Sequence, residues 1–278
     1  MPKPSAPTTL VDGAVKVLNA ASPDDKVSLT ADLASKWRAG GMIIGDILPL
    51  DLSERPARPE HPVLLPPQDM PKRGTGGKKG RRALLHALAH IELNAIDLAW
   101  DLIARFSAEL AKAHPAETVS EFCDDWIRVA DDEARHFKML QKRLAVLDTH
   151  YGDLPAHDGL WAVAMATQNN ILARLAVVPM VLEARGLDVT PATCARLREQ
   201  GLNEDADDLD IIYRDEIVHV ATGVKWFNTI ALSKHLTPAE AWRKLVKEYF
   251  KGRVRGPFNT EGRNQANFSP DFYENLDE

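Results

Sequence analysis

Asp132-Glu133-x-x-His136 and Asp215-Glu216-x-x-His219 are two copies of one word, and the chain holds no third. Residues three apart on an α-helix share a face, so each Glu–His pair can present a carboxylate and an imidazole to one ion. Those two ligand types suit iron and manganese. Two such helices, each opposed by a helix with a lone inward glutamate, build a carboxylate-bridged two-metal site in a four-helix bundle. The lone acids here are Glu92 and Glu183, and the expected metal ligands are Glu92, Glu133, His136, Glu183, Glu216 and His219. Four buried carboxylates would cost several kcal/mol apiece in desolvation and would repel one another, and two divalent cations remove that penalty.

Residues around this set carry two readings each. Asp132 and Asp215 sit four residues before the two histidines, placed either to bond the imidazole of the opposite half and fix its tautomer, or to face solvent. Tyr213, one turn before Glu216, is a redox or proton relay or a core residue. Trp126 and Phe137 wall the site. His86 and His90, at i, i+4 spacing, could take the place of Glu92. Glu183 could instead pair with Arg174 or Arg185.

The elements that must position these groups are helices. Apolar stripes at helical spacing run through Leu85, Leu88, Glu92, Ala95, Ile96 and Ala99, and through Trp126, Ala130, Glu133, His136, Phe137 and Leu140. A third carries Leu172, Ala176, Pro179, Met180 and Glu183, and a fourth Leu209, Ile212, Glu216, His219, Val220 and Gly223. The spacing predicts helices over 82–113 (closed by His114-Pro115), 118–152 (opened by a Thr118/Glu121 capping box), 158–186 (closed by Gly186) and 203–233. A short helix over 190–201 must cover the climb from Glu183 to the height of Glu216, as a bent continuation of its predecessor. Asp97 and Asp101 fall off the first stripe and are expected to be solvated.

Outside this core, Ser22-Pro23-Asp24-Asp25 opens a helix that Gly40-Gly41 stops. Prolines at 49, 56, 59, 62, 66, 67 and 71 make 47–73 an extended arm. Residues 72–82 form a basic, glycine-rich loop, a linker or a contact for an anionic substrate or nucleic acid to which Lys244, Lys247, Lys251, Arg253 and Arg255 could add. A helix opens at Thr237-Pro238, and the tail over 253–278 is expected to be an extended strap. The fold class is all-α, a four-helix bundle with extra terminal helices and extended arms. Its divisions are 1–81 (helical segment and proline-rich arm), 82–233 (two-metal bundle) and 234–278 (helix and tail).

Bulk properties remove several function classes. A net charge of −6 argues against a protein dedicated to coating nucleic acid. Cys123 and Cys194 lack C-x-x-C spacing, which excludes a zinc ribbon or built-in rubredoxin-type iron centre and fits a reduced cytoplasm. No export signal and no bilayer-spanning run is visible.

The paired words, the lone glutamate on each alternate helix, and Gly256-Pro257-Phe258-Asn259 together resemble the ferritin-like superfamily. Within it they resemble the family called domain of unknown function 455. The broader resemblance covers about 82–233, and the narrower one also takes in the arm and tail. It implies a di-iron or iron–manganese centre on the six ligands named above, in a superfamily that includes ferroxidases, peroxide reductases, ribonucleotide reductase small subunits and tRNA-modifying hydroxylases. The chain departs from the rubrerythrin pattern in lacking a C-x-x-C module, so electrons must come from an external donor. The expected activity is an O2- or peroxide-dependent oxidase or oxygenase of unknown substrate. Iron storage or ferroxidation, or a metal-stabilised bundle without catalysis, are the alternatives. A monomer or homodimer is expected, without membrane partners.

Overall fold

The computed structural model describes residues 9–45 and 52–274. The architecture is all-α. Among the described residues the only β feature is an isolated bridge between Leu64 and Ala156. No helix among them is long and apolar enough to cross a membrane. The chain divides into two compact units, Met1–Val63 with Ala89–Lys138, and Leu64–Leu88 with Met139–Glu278.

In the first unit lie α1 (Leu10–Asn19), α2 (Pro23–Arg38), most of α3 (Gly77–Ala113) and most of α4 (Ala116–Val146). Thr9 and Asp12 close a capping box at the start of α1, and Ser22 accepts from the Asp25 N–H to start α2. The α3 helix is buried nearly all round: Leu93, Leu98, Trp100, Leu102 and Ile103 are shielded as fully as the predicted stripe. Asp97 and Asp101 are therefore not solvated, as the periodicity suggested, but 0% and 1% exposed. The N-terminal helices and the arm supply their partners. Lys26 Nζ lies 2.7 Å from Asp97 Oδ1 and also donates to the Val17 carbonyl at the end of α1. Arg58 of the arm bonds the other Asp97 oxygen and reaches Asn94 Oδ1 at 2.7 Å. Trp100 Nε1 donates to Thr30 Oγ1 at 2.9 Å, and Arg105 holds Asp101 at 2.6 Å. Arm residues 47–51 lie outside the described residues. The rest of the arm is extended as expected, apart from one 3-10 turn at Pro67–Asp69.

The second unit contains the start of α3, the end of α4, and α5 (Gly159–Ala166), α6 (Ile171–Val177), a π turn (Val178–Glu183), α7 (Ala184–Glu199), α8 (Asn203–Ser233), α9 (Pro238–Tyr249), α10 (Thr260–Gln265) and α11 (Pro270–Tyr273). The basic loop is shorter than predicted, because α3 begins at Gly77. Its cations are engaged: Lys78 with Asp148, Arg81 with Asp205, and Arg82 with the Leu147 carbonyl. The α4 helix starts two residues before Thr118 and ends at Val146 rather than near Gly152.

The predicted helix over 158–186 is interrupted. Asn170 breaks it by capping α6, accepting from the Ala173 N–H at 3.1 Å. Buried Arg174 then closes the end of α5, donating to Thr167 Oγ1 at 2.9 Å and the Ala164 carbonyl at 2.6 Å. Beyond it, Gly186 does not terminate a helix. The chain runs from α6 through the π turn into α7, and Gly201, at φ 73°, takes the terminating role. Pro179 lacks an N–H, which breaks the i→i−4 ladder where the helix widens into its π turn. There the Ala176 carbonyl accepts the Trp242 indole N–H at 3.1 Å. Pro191, inside α7, likewise deprives the Leu187 carbonyl of its helical donor. Asn259 Nδ2 replaces that donor at 2.9 Å.

Gly223 lets α8 approach the π turn. A Cβ on it would lie 2.5 Å from Pro179 Cβ and 2.6 Å from Cγ. A proline ring cannot swing aside, so Gly223→Ala is expected to destabilise by about 1 kcal/mol or more despite a gain of up to ~1 kcal/mol in helix propensity. Urea denaturation checks this, and unchanged or raised stability would contradict the tight approach. The tail is not an extended strap over its described length. It forms α10 and α11, six and four residues long, too short to show periodicity in sequence. Its last four residues lie outside the described residues.

Candidate metal centre

The chain between Glu92 and Glu133 makes one tight turn, from the end of α3 at Ala113 to the start of α4 at Ala116. Counting back along both helices puts the two acids at similar height, and the structure brings them together. Glu92, Glu133 and His136 are 2%, 0% and 0% exposed. His136 Nδ1 lies 3.2 Å from Glu92 Oε2 and 3.5 Å from Glu133 Oε2. One ligand atom from each of the three fits within 4.8 Å of the others. Ligands bound at ~2.0–2.2 Å from one ion stand ~3–4 Å apart, so the trio fits a shared divalent cation without large rearrangement. Trp126 and Phe137 on α4 are also buried, 1% and 0% exposed.

Burial pushes the Glu92 carboxyl up to about 8, and the adjacent negative charge of Glu133 adds to the effect, against a smaller pull downward from His136. Metal-free protein therefore holds a proton at Glu92 that the unfolded chain gives up at ordinary carboxyl pH. Between about pH 4.5 and 8 the folded state binds more protons, so this group's contribution to stability falls as pH rises. Chelated protein is expected to melt at a lower temperature at pH 8 than at pH 6. Metal binding at pH 7 is expected to release about one proton from this site. Calorimetry in two buffers of different ionisation enthalpy measures that release, and metal uptake without proton release would contradict the assignment.

The second unit carries the other word. His219 is 0% exposed and its Nδ1 lies 3.9 Å from Glu216 Oε2. Glu183 ends the π turn, which packs against α8, and each of these two glutamates keeps one carboxylate oxygen away from solvent. Within this unit the ligand atoms form a pair, and Glu183 does not join it at the spacing of the first trio. The height problem posed by the sequence resolves simply. Glu183 immediately precedes the 16-residue α7, and Glu216 lies a similar number of residues into α8. α7 thus covers the climb through 190–199 as an unbroken helix.

Asp132 is held by Arg135 at 2.8 Å and, like Asp215, is half-buried. The Tyr213 hydroxyl accepts from Asn259 Nδ2 at 2.9 Å, a structural latch between α8 and the tail. Asn259 also caps α10 through the Gly262 N–H, and its own N–H donates to Asp188 at 3.0 Å. The Gly256-Pro257-Phe258-Asn259 stretch therefore docks the tail onto α7 and α8. His86 is not a spare ligand: its Nε2 accepts from the Gly152 N–H at 2.9 Å, and it stacks on Tyr151. Burial lowers it to about 4, so the ring is neutral. Both cysteines are free, and burial pushes each thiol up to about 12, which makes neither a ready nucleophile.

The model of the family described as "Protein of unknown function (DUF455)" matches residues 19–274. The chain belongs to that family. A protein of Haemophilus influenzae described as "Uncharacterized protein" is 38% identical over 257 residues, which cover 91% of this chain and 88% of that one. No solved structure matches the chain. The DUF455 match takes in both E-x-x-H words, Glu92, Glu183 and the Asn259 latch.

Proposed function

We propose that this DUF455 protein is a ferritin-like dinuclear iron, or iron–manganese, oxidoreductase that uses dioxygen or peroxide to oxidise an organic substrate. The observation that carries this reading is the buried Glu92–Glu133–His136 trio, a compact set of hard oxygen and borderline nitrogen ligands in a dry helical interior. The second word, on α8, supports a matching half-site made of Glu183, Glu216 and His219. In the proposal, Glu92, Glu133 and His136 would hold one ion, and Glu183, Glu216 and His219 the other. When bound, the two ions would supply the electrons that reduce the oxidant. The chain's own part is to hold the ligands, exclude water with Trp126 and Phe137, and move the Glu92 proton as charge changes. The absence of a C-x-x-C module assigns re-reduction to an external donor.

Mixing oxygen with protein loaded anaerobically with two ferrous ions per chain tests the proposal. A single-turnover change in near-ultraviolet absorbance, abolished in His136→Ala, is the expected result. A fully loaded protein that shows no change in oxygen would reject the oxidase reading. The native mass is expected to be that of one or two chains, and a many-copy cage would replace this reading with iron storage.

A further inference from the structure

The second unit contains a cavity of about 300 Å³ that the metal ligands do not line. Its walls are Val181 and Leu182 of the π turn, Arg185 and Asp188 of α7, the segment from Phe250 to Phe258, and Arg263 of α10. The geometry points to a binding site for a small organic oxyanion, a phosphate or carboxylate head on an apolar body.

The charge balance of the cavity favours an anion. Four arginines line the cavity against one acid, Asp188. Both oxygens of Asp188 are already engaged, by Arg263 Nε at 2.9 Å and Arg263 Nη2 at 2.8 Å. Arg185 stands further off, at 3.6 Å from Asp188. Arg253 and Arg255 are exposed, and neither forms an ion pair among the described residues. The cavity therefore keeps an excess of positive charge.

Arg263 also calls for an anion. It is 2% exposed, and its Nη1 has no hydrogen-bond partner among the described residues. A buried guanidinium nitrogen left without an acceptor is costly, and a bound oxyanion would supply one. The guanidinium is fixed in place, with its carbon 4.7 Å from the Phe258 ring centre and 4.4 Å from that of Tyr273. A donor held this rigidly loses little entropy on binding.

The apolar walls favour an organic ligand over a bare ion. Phe250, Phe258, Val181 and Leu182 give the cavity apolar walls, and its volume is at the lower end of small-molecule sites. A polymeric phosphate chain would need an open track and a wider basic surface.

Calorimetric titration of the full chain with inorganic phosphate, phenyl phosphate and benzoate tests the site. The expected result is saturable, one-to-one binding of at least one organic anion, tighter than that of inorganic phosphate. The exposed pair Arg253→Gln/Arg255→Gln is expected to weaken it about tenfold or more, as loss of charge-assisted contacts should, with an unchanged melting temperature. Phe250→Ala is expected to weaken the organic anion while leaving inorganic phosphate unaffected. Non-saturating heats for all three compounds, or equal affinity in the double variant, would overturn the proposal. Glu133→Gln is expected to leave this binding unchanged, so the site stands or falls separately from the metal reading.

Discussion

Glu133→Gln is expected to lower divalent-metal affinity by at least about 100-fold, beyond the 10–100-fold typical when only a partner outside the ligand set is lost. Glutamine keeps the shape of the side chain but removes the charge that faces Glu92. The same variant should leave the metal-free protein as stable as the parent or more so, because burial is only one of the three causes that raise Glu92 and another is the charge of Glu133. The two effects have opposite signs, which gives the experiment its force. If Glu133 were an ordinary buried ion-pair partner, its neutralisation would destabilise the protein with and without metal. Denaturation curves of chelated and reloaded protein, for parent and variant, separate the cases. Destabilisation of the chelated variant, or retained metal, would contradict the assignment.

The second large effect lies away from the site. Asp97→Ala is expected to cost about 3–5 kcal/mol, because it leaves the ammonium of Lys26, 0% exposed, without its carboxylate. Burial already lowers the Lys26 pKa, and Asp97 opposes that shift. With Asp97 gone the lysine must lose its proton or draw in water. Lys26→Met combined with Asp97→Leu should recover part of the loss, since a well-packed apolar pair of similar volume often matches a buried ion pair, while Arg58 keeps only Asn94. Thermal and urea unfolding check both variants. A loss below about 1 kcal/mol in Asp97→Ala would mean that Lys26 reaches solvent with ease.

Asp97 also shows where sequence reasoning fails. Its position opposite the Glu92 stripe reads as a wet face, but α3 is covered on that side by α2 and the arm, which supply Lys26 and Arg58. Periodicity describes one helix and carries no record of what a distant segment lays over it. The prolines of the second unit misled in a similar way. The short helix expected to begin at 190 instead runs on from 184, and Pro191 sits inside α7 because Asn259, more than sixty residues on, satisfies the carbonyl that it orphans. The break at Asn170 likewise leaves the end of α5 to be closed by Arg174, and Trp242 bonds a carbonyl just before the π turn, neither of which local spacing reveals.

What was legible depended on local rules. The Ser22 cap, the bounds of α8 and the apolar stripes follow from one turn of chain at a time, and the structure contains them. The burial of Glu92, Glu133, His136 and His219 could be read for the same reason, as they fall in phase with those stripes. The meeting of Glu92 with His136 needed only a count of residues back from one tight turn. Arg263 was not legible at all: in sequence it is one cation in a polar tail, and only folding places it between Asp188 and three aromatic rings.

Anomalous diffraction near the iron and manganese edges, on crystals of protein made without added metal and then loaded, addresses the metal centre itself. Two peaks per chain are expected, one beside Glu92, Glu133 and His136 and the other beside Glu183, Glu216 and His219. Loaded crystals with no peak against Glu133, or with metal bound only at surface carboxylates, would contradict the account.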